Sequence, residues 1–197
     1  MGDTGVLTAI ALAPHADVVA ISAKPEFVSG QELGLRLARP EAWMRDYRVG
    51  FDRFRGLDGV RIVHGRAAGL DPEARQVRVA LADGTSALEE YDVLVIATGV
   101  TNGFWRDPSV QAPDDVSAGL AHAHAQVAAA CSVVVVGGGA AAMSSAAQVA
   151  ERWPDKQVAV FYPGERGLPR HHGRAWAKVA ARLTRLGVAL HPGHRAV

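Results

Sequence analysis

The chain of 197 residues is 49% apolar and 21% charged, long enough to bury a core as one large domain or two small ones. A formal net charge of +1 gives it no general electrostatic hold on nucleic acid or an anionic membrane. Its one cysteine, Cys131, excludes an intramolecular disulfide and fits a reducing, cytoplasmic setting.

No basic segment leading into an apolar run opens the chain, so no signal peptide is expected. The opening residues, Gly2-Asp3-Thr4-Gly5, lead directly into an apolar helical run, VLTAIALA. A turn over 14–17 then precedes VVAIS, a strand of β-branched residues. From 40 to 57 the pattern is helical or irregular, with Trp43, Tyr47, Phe51 and Phe54 recurring every three or four residues. Arginines lie between these aromatics, but Glu41, Asp46 and Asp52 dilute the charge. Core packing therefore accounts for them better than a nucleic-acid groove does.

An antiparallel segment follows. VRIVHG reads as a strand, Asp71-Pro72 begins a turn, and QVRVAL alternates polar with apolar residues. Asp83-Gly84 is a hairpin signal, and YDVLVIATG is predicted as a fully apolar strand ending in Thr98-Gly99. The polar stretch TNGFWRDPSVQAPDD is the best linker candidate, which sets boundaries of 1–104, 105–115 and 116–197.

Between Asp115 and Glu151 no side chain is charged, but His122, His124, Gln126, Ser132 and three glycines interrupt the stretch. A membrane span wants about 20 continuous apolar residues, so no transmembrane segment is expected. The prediction is instead an Ala-rich helix over 116–130 and a buried strand, CSVVVV, with Cys131 as a small core residue. A glycine turn and a helix stopped by Pro154 come next. QVAVFY is another strand, GRAWAKVAARLTRLG an amphipathic helix closed by Gly187, and VALH the last strand.

Strand 133–136, then Gly137-Gly138-Gly139-Ala140-Ala141-Ala142 and a helix, match the dinucleotide fingerprint G-x-G-x-x-G/A. Gly137 makes the tight turn, Gly139 lets a diphosphate approach the backbone, and Ala142 permits close helix–strand packing. Free amides and partial positive charge at the helix start favour the diphosphate. An acid at the end of the next strand would bind ribose hydroxyls, whereas arginine accommodates a 2′-phosphate. The sequence there is Tyr162-Pro163-Gly164-Glu165-Arg166, with Arg170 close behind. Glu165, Arg166 and Arg170 are thus the candidates for telling NADH from NADPH.

Gly2 and Gly5 fit the last two glycines of a second such fingerprint, whose first glycine and strand would precede Met1. Ser22 stands where an acid would hold the adenosine ribose of a flavin. Taken with ADGTSALEEYDVLVIATG, SVVVVGGGAAA and LTRLGVALHPG, this pattern resembles the FAD/NAD(P)-dependent pyridine nucleotide oxidoreductases. Within them it resembles the apoptosis-inducing-factor-like branch, which includes ferroptosis-suppressor-type quinone reductases and is related to type II NADH dehydrogenases.

The resemblance implies an α/β fold: a partial FAD-binding Rossmann-like domain with an antiparallel three-stranded meander, plus a partial NAD(P)-binding Rossmann-like domain. It places FAD at Gly2, Gly5, Thr98 and Gly99, and NAD(P)H at the second turn. It implies hydride transfer from nicotinamide to flavin and electron transfer to a quinone-like small molecule, with no protein acid or base. A redox cysteine pair, used in a related branch, is excluded by the lone Cys131. Relative to that family the chain is expected to be shortened at both ends. A nucleotide-binding module without catalysis and a non-functional fragment therefore remain alternatives.

His122-x-His124, His171-His172 and His191-x-x-His194 lack a completing cysteine or carboxylate at ligand spacing, so no metal is expected. Ser144 and Ser145 lack the G-x-S-x-G elbow of hydrolases and read as helix residues.

Overall fold

The computed structural model describes residues 1–30, 32–99 and 109–195. In chain order its elements are α1 (Asp3–Leu12), β1 (Val19–Ser22), β2 (Phe27–Val28), α2 (Leu33–Ala38), α3 (Pro40–Tyr47) and β3 (Arg48–Val49). Then come β4 (Arg61–Asp71), β5 (Gln76–Leu81), β6 (Ser86–Glu90) and α4 (Pro113–Ala129). The last five are β7 (Ser132–Val136), α5 (Ala140–Arg152), β8 (Gln157–Phe161), α6 (Gly173–Arg185) and β9 (Ala189–His191). The chain divides into one unit of Met1–Gly30 with Arg45–Gly119, and a second of Gln31–Met44 with Leu120–Val197.

In the first unit β1 runs parallel to β4, and β4, β5 and β6 form an antiparallel meander, giving the order β1-β4-β5-β6. Strand β5 carries the alternation expected of it: Val77 and Val79 are buried, while Arg78 between them is exposed. Gly84, at φ +87, turns the hairpin into β6. Helix α1 buries Val6 and Ala9 in a cluster with Phe51 and Leu57, and Phe54 packs against it. Trp43, in the second unit, is fully buried, so Trp43, Phe51 and Phe54 serve cores as the aromatic spacing predicts.

The second unit is a parallel sheet, β7-β8-β9, with α5 and α6 packed on it. Met143, Ala146, Val149 and Ala150 of α5 meet Val158 and Val160 of β8 and Leu183 of α6. Burying these apolar side chains contributes on the order of 1.5–3 kcal/mol for each large one, the main force holding the helices to the sheet. Helix α5 ends at Arg152 because Pro154 follows; Gly187, at φ +76, lets the chain leave α6. Gly34 of α2 lies so close to α5 that a Cβ there would meet the Cα of Ser145 at 2.7 Å.

Three expectations are corrected. The apolar run 93–99 is not a strand; β6 is formed by SALEE instead, in register with β5. Val93 is 82% and Ile96 69% exposed, since among the described residues no strand pairs with the run and its backbone has no ladder to join. Cys131 is exposed and precedes β7 rather than packing inside it. Strand β7 is itself only half buried: Val133 and Val135 face the helices, while Val134 and Val136 on the other face are about 60% exposed. The glycine turn, its flanking strands and α5 stand as expected. Helix α4 begins three residues earlier than predicted, at Pro113, and 105–108 of the expected linker lie outside the described residues.

Candidate functional site

The second unit brings its candidate residues to the carboxyl end of a parallel sheet, where ligands of such folds bind. The chain leaves β7 through Gly137, whose φ of +133 is a conformation that side-chain-bearing residues rarely adopt. Its amide donates to the carbonyl oxygen of Phe161 at 2.9 Å, joining the turn to the end of β8. A Cβ on Gly137 would sit 3.5 Å from that of Ala142, in ordinary van der Waals contact, so the start of α5 lies close against the turn.

Gly139 is the N-cap of α5, with extended backbone and no side-chain cap. A Cβ built on it would meet nothing within 4 Å, and Gly139, Ala140 and Ala141 are exposed. The first helical bond is from the Met143 amide to the Gly139 carbonyl oxygen at 3.2 Å. Amides 140–142 therefore point out of the helix end without intrahelical acceptors, beside open space. This cradle fits the diphosphate of a dinucleotide, which takes free amides and the positive end of a helix.

The strand-end position offers a dinucleotide no acid. Tyr162 is 2% exposed, turned into the core and set edge-on to Trp176 with centroids 5.8 Å apart. Desolvation raises its phenol above the ordinary range. Glu165, Arg166 and Arg170 lie in the exposed segment that follows, and Arg166 directs Nη1 to the start of α6, 3.2 Å from where a Cβ on Gly173 would be. None of the ion pairs among the described residues involves either arginine.

Two features of this edge have little or no sequence signal. Phe161 stacks on His191, with centroids 4.3 Å apart and planes 9° from parallel, and His194 meets Phe161 edge-on. Leu168 adopts a left-handed backbone, and its amide donates to the carbonyl oxygen of Gly138. Of the other histidines, His124 donates from Nδ1 to the carbonyl oxygen of Leu37 and lies against Trp153. Ser145 donates to the Ala141 carbonyl oxygen within α5, as a helix residue does.

In the first unit Gly2 is the N-cap of α1, and a Cβ there would meet nothing within 4 Å. Gly5 faces Ala97, whose Cβ lies 3.9 Å from the position of an added Cβ. The Asp3 carboxylate accepts from Ser29 Oγ and from the Gly30 amide, both at 3.0 Å. Ser22 is buried, donates to the Lys24 carbonyl oxygen and accepts from the Met1 ammonium. Desolvation lowers that ammonium to about 6. Thr98 and Gly99 are exposed, Gly99 at φ +70. These residues supply a helix start suited to a second diphosphate, but no acid at Ser22.

A family model for pyridine nucleotide-disulphide oxidoreductases matches residues 2–197. A search of curated protein sequences returned no match. Among solved structures, the chain is similar to an engineered water-forming NADPH oxidase bound to NADPH, derived from the Lactobacillus brevis NADH oxidase (16% identity, TM-score 0.63, 98% of this chain and 44% of that one). It is also similar to the ferredoxin reductase of the CYP199A2 system from Rhodopseudomonas palustris (22%, TM-score 0.62, 98% and 48%). A third is the sulfide:quinone oxidoreductase of Aquifex aeolicus (18%, TM-score 0.63, 98% and 49%). The chain spans less than half of each. The fold is thus the mixed α/β arrangement of FAD- and NAD-binding oxidoreductases, a family whose cofactors are FAD and pyridine nucleotide, and no helix among the described residues is long and apolar enough to cross a membrane. With its glycine turn, parallel sheet and family-wide sequence match, this chain belongs to the pyridine nucleotide-disulphide oxidoreductase family.

Proposed function

We propose that this chain is the nucleotide-binding part of an FAD-dependent NAD(P)H oxidoreductase of the apoptosis-inducing-factor-like branch. The open cradle at Gly139, beside amides 140–142, carries the reading. Gly137, Gly138, Gly139 and Ala142 hold the cofactor's diphosphate, and Gly2, Gly5, Thr98 and Gly99 contribute to the flavin side. FAD, when bound, accepts hydride from reduced nicotinamide and hands electrons to an acceptor. The protein's task is to place and shield the reactants, so no general acid or base is assigned. In this reading 1–104 belong to the FAD-binding domain, 116–197 to the NAD(P)-binding domain, and the setting is cytoplasmic.

Of the two pyridine nucleotides, NADPH is favoured. The strand-end acid that would bind the ribose diol is replaced by buried Tyr162, and among the described residues neither Arg166 nor Arg170 forms an ion pair. The substitutions named for the engineered NADPH oxidase follow the same logic, removing an aspartate and introducing two arginines. The acceptor is proposed to be a quinone-like small molecule, on the resemblance to the quinone-reductase branch; one structural relative is itself a sulfide:quinone oxidoreductase.

Titration of the chain with NADPH and NADH, followed by nicotinamide fluorescence, tests the site. Gly139→Asp should abolish binding, and unchanged affinity would remove the site from this turn. A module that binds nucleotide without turnover is the second reading, favoured by the exposed run 93–99, which joins no strand among the described residues of the half that would hold flavin.

A further inference from the structure

We propose that Leu168 is a positioning residue that fixes the choice between NADPH and NADH by latching the arginine-bearing loop to the diphosphate turn. The proposal rests on the reading that Arg166 and Arg170 receive the 2′-phosphate. Leu168 has φ +52, a left-handed conformation that is an outlier for a bulky side chain. Such strain persists only where the surroundings over-determine it, and it gathers at ligand clamps.

The surroundings here do so from two sides. The Leu168 side chain is 6% exposed, in the core cluster with Met143 and Tyr162. Its amide donates to the carbonyl oxygen of Gly138, the middle glycine of the turn, at 2.7 Å, and its own carbonyl accepts from the His171 amide at 2.9 Å. The neighbouring Gly167 is so enclosed that a Cβ would approach Trp176 to 2.5 Å and Met143 to 2.6 Å. The start of the loop is tied separately, with the Gly193 amide donating to Gly164 and the His194 amide to Tyr162.

Arg166 lies two residues before Leu168 and Arg170 two residues after it. Pinning the residue between them to Gly138 sets both cations at a fixed offset from the amides that receive the diphosphate. A dinucleotide presents its 2′-phosphate and diphosphate as two anions joined through one ribose at the adenosine end. A preorganised loop meets both without losing conformational freedom on binding, whereas a loose loop meets the diphosphate alone. Losing the latch should therefore weaken NADPH and leave NADH nearly as before.

The experiment measures NADPH and NADH dissociation constants by nicotinamide fluorescence on the purified chain. The variants are Leu168→Ala, Leu168→Met, the pair Arg166→Ala with Arg170→Ala, and all three alanines together. Leu168→Ala should lower the NADPH preference about tenfold, the scale of one misaligned charge-assisted contact. Leu168→Met, which keeps the buried volume, should retain the preference. In the arginine-free background Leu168→Ala should no longer change the ratio. If Leu168→Ala fails to fold, Leu168→Gly, free of the left-handed penalty, carries the same arm.

Equal weakening of both nucleotides by Leu168→Ala, or none, overturns the proposal and leaves Leu168 a core residue. A ratio that the arginine substitutions do not move overturns the 2′-phosphate reading itself. A ratio moved by the arginines but not by Leu168→Ala overturns the latch alone.

Discussion

The amide of Gly137 and the carbonyl oxygen of Phe161, 2.9 Å apart, join the glycine turn to the end of the next strand, so the two halves of the candidate site are bonded at that point. That link gives the two outer glycines of the turn different sensitivities. Gly137 sits at φ +133 with Ala142 close by, whereas Gly139 has extended backbone and open space. Gly137→Ala should destabilise the chain by about 1–3 kcal/mol in urea unfolding. Gly139→Asp should leave the unfolding midpoint in place while weakening NAD(P)H at least about tenfold, because it sets a carboxylate where the diphosphate must approach. Equal stability loss in both variants would contradict this division.

Arg166→Ala and Arg170→Ala should each weaken NADPH more than NADH, by about 1.5–3 kcal/mol for an arginine that contacts the phosphate. The contact also makes NADPH affinity the more salt-sensitive of the two. Titrations at low and high salt check both expectations. Equal losses for the two nucleotides would return the arginines to the solvated surface.

Tyr162 gives a pH signature. Burial raises its phenol above the ordinary value of 10.0, so on alkaline titration the unfolded chain gives up this proton first. Its contribution to stability is complete below pH 10 and is lost as pH rises through the folded value. Tyr162→Phe, which keeps the ring against Trp176, should make stability fall less steeply above pH 10 in urea unfolding. An unchanged slope would show that another group sets the alkaline limb.

The run 93–99 is apolar, exposed and outside every ladder among the described residues. Its amides should exchange with solvent deuterium far faster than those of β5 and β8, and mass spectrometry of exchanged peptides resolves the difference. Exposed apolar chain with unpaired backbone also invites association. Val95→Lys should reduce light scattering at high concentration without lowering the melting temperature. Protection of 93–99 equal to that of β8 would show the run to be paired in solution.

The sequence by itself determined the elements whose signals are local. The alternation of QVRVAL specifies β5, and Asp83-Gly84 its hairpin, because side-chain period and turn chemistry act over a few residues. The apolar run, glycine turn and Pro154 likewise specify the β7–α5 unit and place Gly139 at a helix start. Strand β6 carries little sequence signal because Glu89 and Glu90 mask its pattern, and Glu89 is held by an ion pair to Arg61.

Only tertiary structure decided the rest. Whether 93–99 becomes a strand depends on a partner far away in sequence, and no local propensity supplies one. The exposure of Val134 and Val136 follows from which face of β7 the helices cover, and Cys131 is exposed ahead of the strand. Leucine carries no signal for a left-handed backbone. The Leu168 conformation exists because the Gly138 carbonyl and the core around Met143 and Tyr162 together hold it there, against the residue's own preference.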